Sequence, residues 1–226
     1  MPTITDLVGP AGRLEALLDE PAGASPDSSA APVAAVVFAH PHPQFGGTMH
    51  TKVVYQGAKG LTRIGCAVLR FNFRGVGASA GAFDQGAGEK EDFRAALDYM
   101  SARYPGVARW SAGFSFGAWV ALEVGAEDDR VSALIGISPP VTTSISGHEY
   151  TFERTLASTK PKSFVQGEAD EVCPLLGMWS FYAKLKDPKE LVIIDGADHL
   201  YEGKAQEVGE ALEDLLADCS EPVPEP

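Results

Sequence analysis

The sequence predicts a doubly wound α/β fold in which helices cover both faces of a mostly parallel sheet. Short apolar runs alternate with helix-length segments along most of the 226 residues, as expected for successive β-α-β units. The apolar runs lack the polar alternation of a strand with one solvated face, so they indicate strands that are buried on both sides.

Six apolar runs are the predicted parallel strands. They are VAAVVFA from Val33, CAVLRFNF from Cys66, VARWSAGF from Val107, VSALIGIS from Val131, KSFVQ from Lys162 and ELVIID from Glu190. Helices are predicted from Lys52 to Leu61, Glu89 to Arg103, Phe116 to Val124, Leu175 to Leu185 and Tyr201 to Ala217.

An antiparallel hairpin is predicted at the N-terminus, at one edge of the sheet. Apolar residues around Ile4 and from Leu14 to Leu18 flank the turn signal GPAG. Residues 20–32 are small, polar and proline-bearing, so they predict a solvated loop. We expect one domain over residues 1–218 and a disordered tail over 219–226. The interval VTTSISGHEYTFERTLAST is too short for a large cap domain.

Composition narrows the function classes. The chain has 31 acidic and 18 basic residues and a formal charge of −13, so it should repel nucleic acid and anionic membranes. Its three cysteines, Cys66, Cys173 and Cys219, are widely spaced and odd in number, which fits a reducing compartment. The sequence shows no secretory pattern and no apolar stretch of about 20 residues. We therefore expect a cytoplasmic protein without a membrane or nucleic-acid partner.

The segment GFSFG at Gly113–Gly117 fits the G-x-S-x-G nucleophile elbow and lies between a predicted strand and a predicted helix. Such a sharp turn forces positive φ on its central residue, and small neighbours two positions away avoid collision. Ser115 is therefore the candidate nucleophile. The backbone N–H of Phe116, at the N-terminus of the following helix, is a candidate oxyanion donor.

A serine hydroxyl needs a base and a third group that orients the base. His199 follows the last predicted strand and is the candidate base, and Asp170 follows the preceding strand and is the candidate acid. Four nearby carboxylates compete for the acid's role: Glu168, Glu171, Asp195 and Asp198. The order serine, acid, histidine along the chain is typical of α/β-hydrolases.

The loop HPHPQFGG, after the strand from Val33, is expected to supply the second oxyanion donor. Prolines 41 and 43 have no N–H, which leaves the backbone N–H of His42, ranked first, or of Gln44. An alternative is a metal site, because His40 and His42 are spaced to point to one face of an extended chain. His50, His148 or His199 would complete it.

The glycines in GVGASA, Gly75–Ala80, also fit a dinucleotide-binding loop. That hypothesis requires an acidic residue at the end of a second strand about twenty residues later. The segment there, EKEDFRAALDYM, is predicted to be helical. We therefore expect these glycines to shape a loop beside the active site.

Together these motifs resemble the small bacterial serine esterases of the α/β-hydrolase superfamily that are related to dienelactone hydrolase. The resemblance covers nearly the whole chain and rests on HPHPQFGGTMHTKVV, RFNFRGVGASAG, GFSFGAWVAL, GEADEVCP and GADHLYEG. It implies an α/β-hydrolase fold and a carboxylic-ester hydrolase that needs no metal or other cofactor. Dienelactone hydrolases carry cysteine at the elbow, where this chain has Ser115, so a general esterase is predicted.

The predicted substrate is a small ester with a short acyl chain, bound in an open apolar pocket. The candidate lining residues are aromatic: Phe45, Phe116, Trp119, Tyr150, Trp179 and Tyr182. Three alternatives stay open: a thioesterase or lactonase using the same triad, the metal-dependent hydrolase described above, and a non-catalytic binding protein with this fold.

Overall fold

The structure is a computed structural model that describes residues 3–21, 31–142, 144–145 and 148–216. Within them the strands are β1 (Thr3–Ile4), β2 (Val8–Gly9), β3 (Gly12–Arg13), β4 (Ala16–Asp19), β5 (Ala34–Ala39), β6 (Ala67–Phe71), β7 (Ala108–Phe114), β8 (Val131–Ile137), β9 (Ser144–Ile145), β10 (His148–Glu149), β11 (Lys162–Gly167) and β12 (Lys189–Ile194). The helices are α1 (Lys52–Arg63), α2 (Ala87–Arg103), α3 (Phe116–Glu127), α4 (Glu153–Ala157), α5 (Leu175–Tyr182) and α6 (Ala205–Leu216).

Eight of the described strands form one sheet in the order β1-β4-β6-β5-β7-β8-β11-β12. From β6 to β12 every neighbouring pair is parallel, whereas β4 pairs antiparallel with β6 and with β1. The predicted doubly wound, mostly parallel fold is therefore confirmed. All six predicted parallel strands are present, with ends that differ by up to two residues.

Strand β5 shows why the sheet carries two cores. Its side chains alternate between the faces: Ala35, Val37 and Ala39 pack with α2 and α3, whereas Ala34, Val36 and Phe38 pack with α1 and α6. Both sets are fully buried. A continuous apolar strand is thus stable only because helices remove both of its faces from water.

The predicted N-terminal hairpin is confirmed at the edge of the sheet. Strands β2 and β3 pair around the turn, with Gly9 opposite Gly12, and β1 pairs with β4. The Gly75–Ala80 loop packs against this region, since Glu15 Oε2 accepts hydrogen bonds from the Ala78 N–H and the Asn72 side chain, both at 2.8 Å. These glycines therefore form a loop bonded to the N-terminal segment.

The segment between β8 and β11 holds only the short β9–β10 pair and α4 among the described residues, in agreement with the expected absence of a large cap. Most of the predicted 20–32 loop, the predicted 219–226 tail and Cys219 lie outside the described residues. In the part of the chain that is described, no helix combines the length and apolar character needed to cross a membrane.

The last helix begins four residues later than predicted. Tyr201 has a positive φ of 53° and Gly203 one of 72°, and such left-handed backbone interrupts a right-handed helix. The Tyr201 side chain is fully buried and its hydroxyl lies 2.8 Å from Ser138 Oγ. Residues 201–204 therefore form a turn that connects the loop after β12 to α6.

Helices α1 and α6 approach closely because both carry glycine at the contact. A Cβ added at Gly60 would collide with the Gly209 carbonyl, and one added at Gly209 would lie 2.5 Å from the Gln56 carbonyl oxygen. Real Cβ atoms do not approach backbone oxygens so closely, so a side chain at either position would push the helices apart.

We expect Gly209→Ala to lower the free energy of unfolding by about 1–3 kcal/mol. Alanine would gain about 1 kcal/mol of helix propensity, but the collision with backbone atoms outweighs that gain. Denaturant unfolding measures the change, and Glu210→Ala on the exposed face of α6 is the control, expected to stay within about 0.5 kcal/mol. A Gly209→Ala protein as stable as wild type would refute this account of the helix contact.

Candidate active site

Ser115 lies at the sharp turn between β7 and α3, with φ 54° and ψ −121°. This is a strained backbone conformation for a residue with a side chain. Its neighbours make the turn possible, since a Cβ on Gly113 would collide with the Gly117 carbonyl and a Cβ on Gly117 with the carbonyls of Ala39 and His40. The turn therefore fixes Ser115 at the carboxyl ends of the parallel strands.

The structure brings together the three residues that the sequence singled out. His199 Nε2 lies 3.0 Å from Ser115 Oγ, and His199 Nδ1 lies 2.9 Å from Asp170 Oδ2. Since the carboxylate accepts the proton on Nδ1, Nε2 is left to accept the serine proton. This geometry is that of a serine, its general base and the acid that orients the base.

Several donors hold the Asp170 carboxylate. Its Oδ1 accepts the backbone N–H groups of Val172 (2.9 Å) and Cys173 (2.7 Å), and its Oδ2 also accepts Gln166 Nε2 (3.2 Å). Burial alone would raise the pKa of Asp170, but the hydrogen bond and charge of His199, together with the other donors, lower it below the usual value. Asp170 is therefore a buried carboxylate anion at neutral pH.

The competing carboxylates have other contacts or surroundings. Glu168 accepts the N–H of Gly196 at 2.8 Å, and Asp198 accepts the N–H of Glu202 at 2.9 Å. Glu171 and Asp195 are exposed. Among the described carboxylates, Asp170 is the one with a hydrogen bond to His199.

The two loops proposed for the oxyanion hole meet beside Ser115. The Phe116 N–H is the first of α3 and has no acceptor within the helix. The His42 ring packs 5.1 Å from the Phe116 ring, which brings the His42 loop next to the elbow. The Gln44 N–H donates to His42 Nδ1 at 3.2 Å, so that predicted donor is already engaged.

The HxH motif does not form the alternative metal site. His40 is fully buried, its Nε2 accepts the Phe73 N–H at 3.0 Å, and its Nδ1 lies 2.7 Å from the Pro41 carbonyl. Both ring nitrogens are thus used in holding the loop. Burial lowers the pKa of His40 to about 4, so the ring is neutral at pH 7.

A cavity of about 310 Å³ opens beside the serine and the histidine. It is lined by Pro41, His42, Phe45, Ser115, Val172, His199 and Leu200. None of these side chains is a carboxylate, a lysine or an arginine. The cavity therefore presents an apolar surface to which Ser115 and the two imidazoles add the polar groups.

Of the six predicted pocket residues, Phe45 lines this cavity and the other five do not. Trp119 is buried, where its Nε1 donates to the Thr151 carbonyl at 2.8 Å and its ring packs 5.0 Å from Tyr150. Trp179 is exposed on α5. Aromatic residues near the elbow in sequence were expected at the cavity, but tertiary packing places most of these rings elsewhere. The residues outside the lining are Phe116, Trp119, Tyr150, Trp179 and Tyr182.

Pro41, Val172 and Leu200 line the cavity and were not predicted to do so. Each is a direct neighbour or near neighbour of a predicted site residue, and that adjacency was the available signal. Gln166, whose amide reaches both Asp170 and the Cys173 carbonyl (2.8 Å), was also missed. At the end of a buried strand, sequence alone does not show which way its side chain points.

Residues 30–162 match the family described as serine aminopeptidase, S33. The chain belongs to this family. It is 37% identical over 214 residues, 92% of its length and 86% of the relative's, to the uncharacterized protein RP471 of Rickettsia prowazekii. An α/β serine hydrolase homologue from Coxiella burnetii is 36% identical, with a TM-score of 0.85 over 96% of this chain and 97% of that one.

A serine hydrolase without a lid, from Xanthomonas campestris, is 33% identical, with a TM-score of 0.85 over 99% of this chain and 96% of the other. The dienelactone hydrolase of Anabaena variabilis shares the fold at 19% identity, with a TM-score of 0.74 over 96% and 97%. An esterase domain from Rhodothermus marinus is 26% identical, with a TM-score of 0.72 over 96% and 98%. The chain is thus an α/β serine hydrolase family member, as its motifs predicted.

We expect the neutral, buried His40 to make stability depend on pH. As pH falls through about 6.5, the unfolded chain binds a proton that native His40 does not accept until about pH 4. The contribution of neutral His40 to the free energy of unfolding is complete above pH 6.5 and declines as the pH falls from 6.5 to 4. At pH 5 this contribution is smaller by about 2 kcal/mol. Denaturant unfolding at pH 7.5 and pH 5 measures the stability lost between the two pH values. In His40→Gln this loss should be smaller by about 2 kcal/mol. Equal losses in both proteins would contradict the assignment.

Proposed function

We propose that the chain is a serine esterase that cleaves neutral carboxylic esters with short acyl groups. The observation that carries the proposal is the hydrogen-bonded series from Ser115 Oγ through His199 to Asp170, 3.0 Å and 2.9 Å long, at the wall of an apolar cavity. Family membership supports the hydrolytic chemistry, and the cavity supports the choice of substrate.

In the proposed reaction, Ser115 Oγ attacks the ester carbonyl while His199 Nε2 removes the hydroxyl proton. The N–H groups of Phe116 and His42 stabilise the negative carbonyl oxygen. His199 then gives its proton to the departing alcohol, which leaves the acyl group on Ser115. Water, deprotonated by the same nitrogen, releases the acid and restores the serine. Asp170 stabilises the imidazolium in both halves of the reaction.

The chemistry of the cavity favours esters with uncharged acyl groups over peptides with a free N-terminus. An α-ammonium group is recognised best by a carboxylate within ion-pair distance. The lining residues include no carboxylate, and Asp170 is only 3% exposed and is not part of the cavity wall. The family's name describes aminopeptidases, whereas this cavity lacks the group that an aminopeptidase substrate needs.

The cysteines and the net charge bear on where the protein acts and on what. We propose a single domain over residues 1–218 that acts in the cytoplasm on small molecules. The buried Cys173 thiol forms no disulfide, which supports a reducing environment. The formal charge of −13 disfavours nucleic acid and anionic membranes as partners.

A fluorophosphonate should label Ser115 stoichiometrically, because only an activated serine reacts at a useful rate. Intact mass and peptide mapping measure the label on wild type, Ser115→Ala and Ser111→Ala, a buried serine on β7 that serves as control. We expect Ser115→Ala to lose the label and at least about 10³-fold in ester turnover, and Ser111→Ala to retain both. A Ser115→Ala protein that keeps its turnover would refute the mechanism.

We expect acetyl and butyryl p-nitrophenyl esters to have the highest kcat/KM and the decanoyl ester to react more slowly. Leucine p-nitroanilide should be cleaved at least about tenfold more slowly than the butyryl ester. Phe45→Ala, at the cavity, should lower the ratio of butyrate to acetate kcat/KM about threefold. Trp179→Ala, exposed outside the cavity, should leave that ratio unchanged. Faster turnover of the decanoyl ester or the anilide would refute the proposed substrate class.

A further inference from the structure

The loop after β11 carries Cys173 beside Asp170 and His199, and all three side chains are of types that bind metal ions in proteins. One ligand atom each from Asp170, Cys173 and His199 lie within 4.8 Å of one another, and the described residues contain no other such cluster of three. A carboxylate oxygen, a thiol sulfur and an imidazole nitrogen are the ligand types that Zn²⁺ binds in proteins. The esterase mechanism has no use for the thiol.

The distances are close to those of a zinc site. Ligand atoms at 2.0–2.3 Å from a tetrahedral Zn²⁺ lie roughly 3.3–3.8 Å apart, and the three ligand atoms here all lie within 4.8 Å of one another. The Nδ1–Oδ2 pair, now 2.9 Å apart, must open slightly to admit the ion. The Cys173 N–H already bonds Asp170 Oδ1 at 2.7 Å, which ties two of the ligands to one short turn. Rotation of the cysteine and histidine side chains supplies the remaining movement.

The cluster lies next to the cavity. His199 lines it, and Val172, the residue before Cys173, is part of the same wall. Cys173 itself is only 1% exposed, so its thiol is shielded from bulk solvent. A water molecule from the cavity would complete the coordination.

We propose that Asp170, Cys173 and His199 form an inhibitory site for Zn²⁺ that reversibly switches off the hydrolase. This regulation rests on the proposed esterase function. The ion binds on the Asp170 side of the imidazole, because Nδ1 lies 2.9 Å from the carboxylate. It therefore takes the position of the Nδ1 proton.

Inhibition follows from the histidine tautomer. When Nδ1 binds the metal, the remaining ring proton resides on Nε2, and that nitrogen no longer accepts the proton of Ser115. The Cys173 thiol loses its proton to solvent as the sulfur binds, so one proton is released for each ion. Removal of the ion returns one proton from solvent to the thiol and lets the ring proton move from Nε2 back to Nδ1, which restores the active arrangement.

The test uses untagged wild type, Cys173→Ser and, as a matched control, Cys66→Ser, whose side chain lies in the core on the α1 and α6 face of the sheet. Zinc affinity is measured by competition with a chromophoric chelator at pH 7.5. Ester hydrolysis is followed against free Zn²⁺ and after addition of EDTA. Cd²⁺ serves as a second probe, because a cadmium–thiolate bond absorbs in the ultraviolet.

We expect one Zn²⁺ per wild-type chain, inhibition that follows this occupancy and is reversed by EDTA, and thiolate absorption with Cd²⁺. Cys173→Ser should bind Zn²⁺ at least about tenfold more weakly and lose the cadmium signal and most of the zinc sensitivity, and Cys66→Ser should match wild type. Each variant's own activity without metal and its circular dichroism show that it is folded.

Equal zinc sensitivity of wild type and Cys173→Ser would overturn the proposal, as would the absence of stoichiometric zinc binding to wild type. Fluorophosphonate labelling at Ser115 separates this failure from that of the esterase function. A protein that is labelled and hydrolyses esters but ignores zinc refutes the zinc site alone. A protein that binds zinc through Cys173 but hydrolyses no ester refutes the esterase and retains the metal site without its inhibitory role.

Discussion

The backbone at Ser115 turns from a buried strand into a buried helix with a φ of 54°, and the candidate site is arranged around that turn. The strain is tolerated because neighbouring backbone approaches Gly113 and Gly117 so closely that no side chain fits there. The Ser115 N–H donates to the Ile137 carbonyl of β8 at 2.9 Å. Packing thus holds a conformation that an isolated peptide would avoid.

The His199 ring lies between two different surroundings: the buried Asp170 carboxylate on its Nδ1 side and the mainly apolar cavity on its Nε2 side. Asp170 accepts hydrogen bonds from backbone N–H groups and from side-chain donors that include Gln166 and His199, and these offset the cost of removing its charge from water. The cavity wall on the serine side is mainly hydrocarbon. In such surroundings a hydrogen bond to a developing oxyanion is stronger than it is in water.

The loop after β11, which carries Asp170 and Cys173, combines two properties. Its tight turn holds the carboxylate that orients His199, and the same turn brings the Cys173 sulfur within metal-ligand reach of both groups. The proposed zinc ion competes with the proton on Nδ1, the atom through which Asp170 orients His199. The proposed sensitivity to zinc is therefore a consequence of how the base is positioned.

The sequence by itself determined the fold class, the six parallel strands and the identity of the three residues that meet at the site. These features depend on local signals: continuous apolar runs for strands buried on both faces, and G-x-S-x-G between a strand and a helix. Asp170 and His199 follow consecutive strands of the sheet, and parallel strands place their carboxyl ends at one edge. Chain order was therefore sufficient to predict that the residues lie close together.

Tertiary structure alone decided what surrounds them. Trp119 and Tyr150 are aromatic residues at plausible sequence positions, yet they pack on each other and do not line the cavity, whereas Leu200 and Val172 line it. Similarly, the two nitrogens of the His40 ring bond the carbonyl of the adjacent Pro41 and the N–H of Phe73, which lies on a distant segment. Side-chain direction and hydrogen-bond partners depend on which surfaces meet in three dimensions, and the periodicity of one segment does not contain that information.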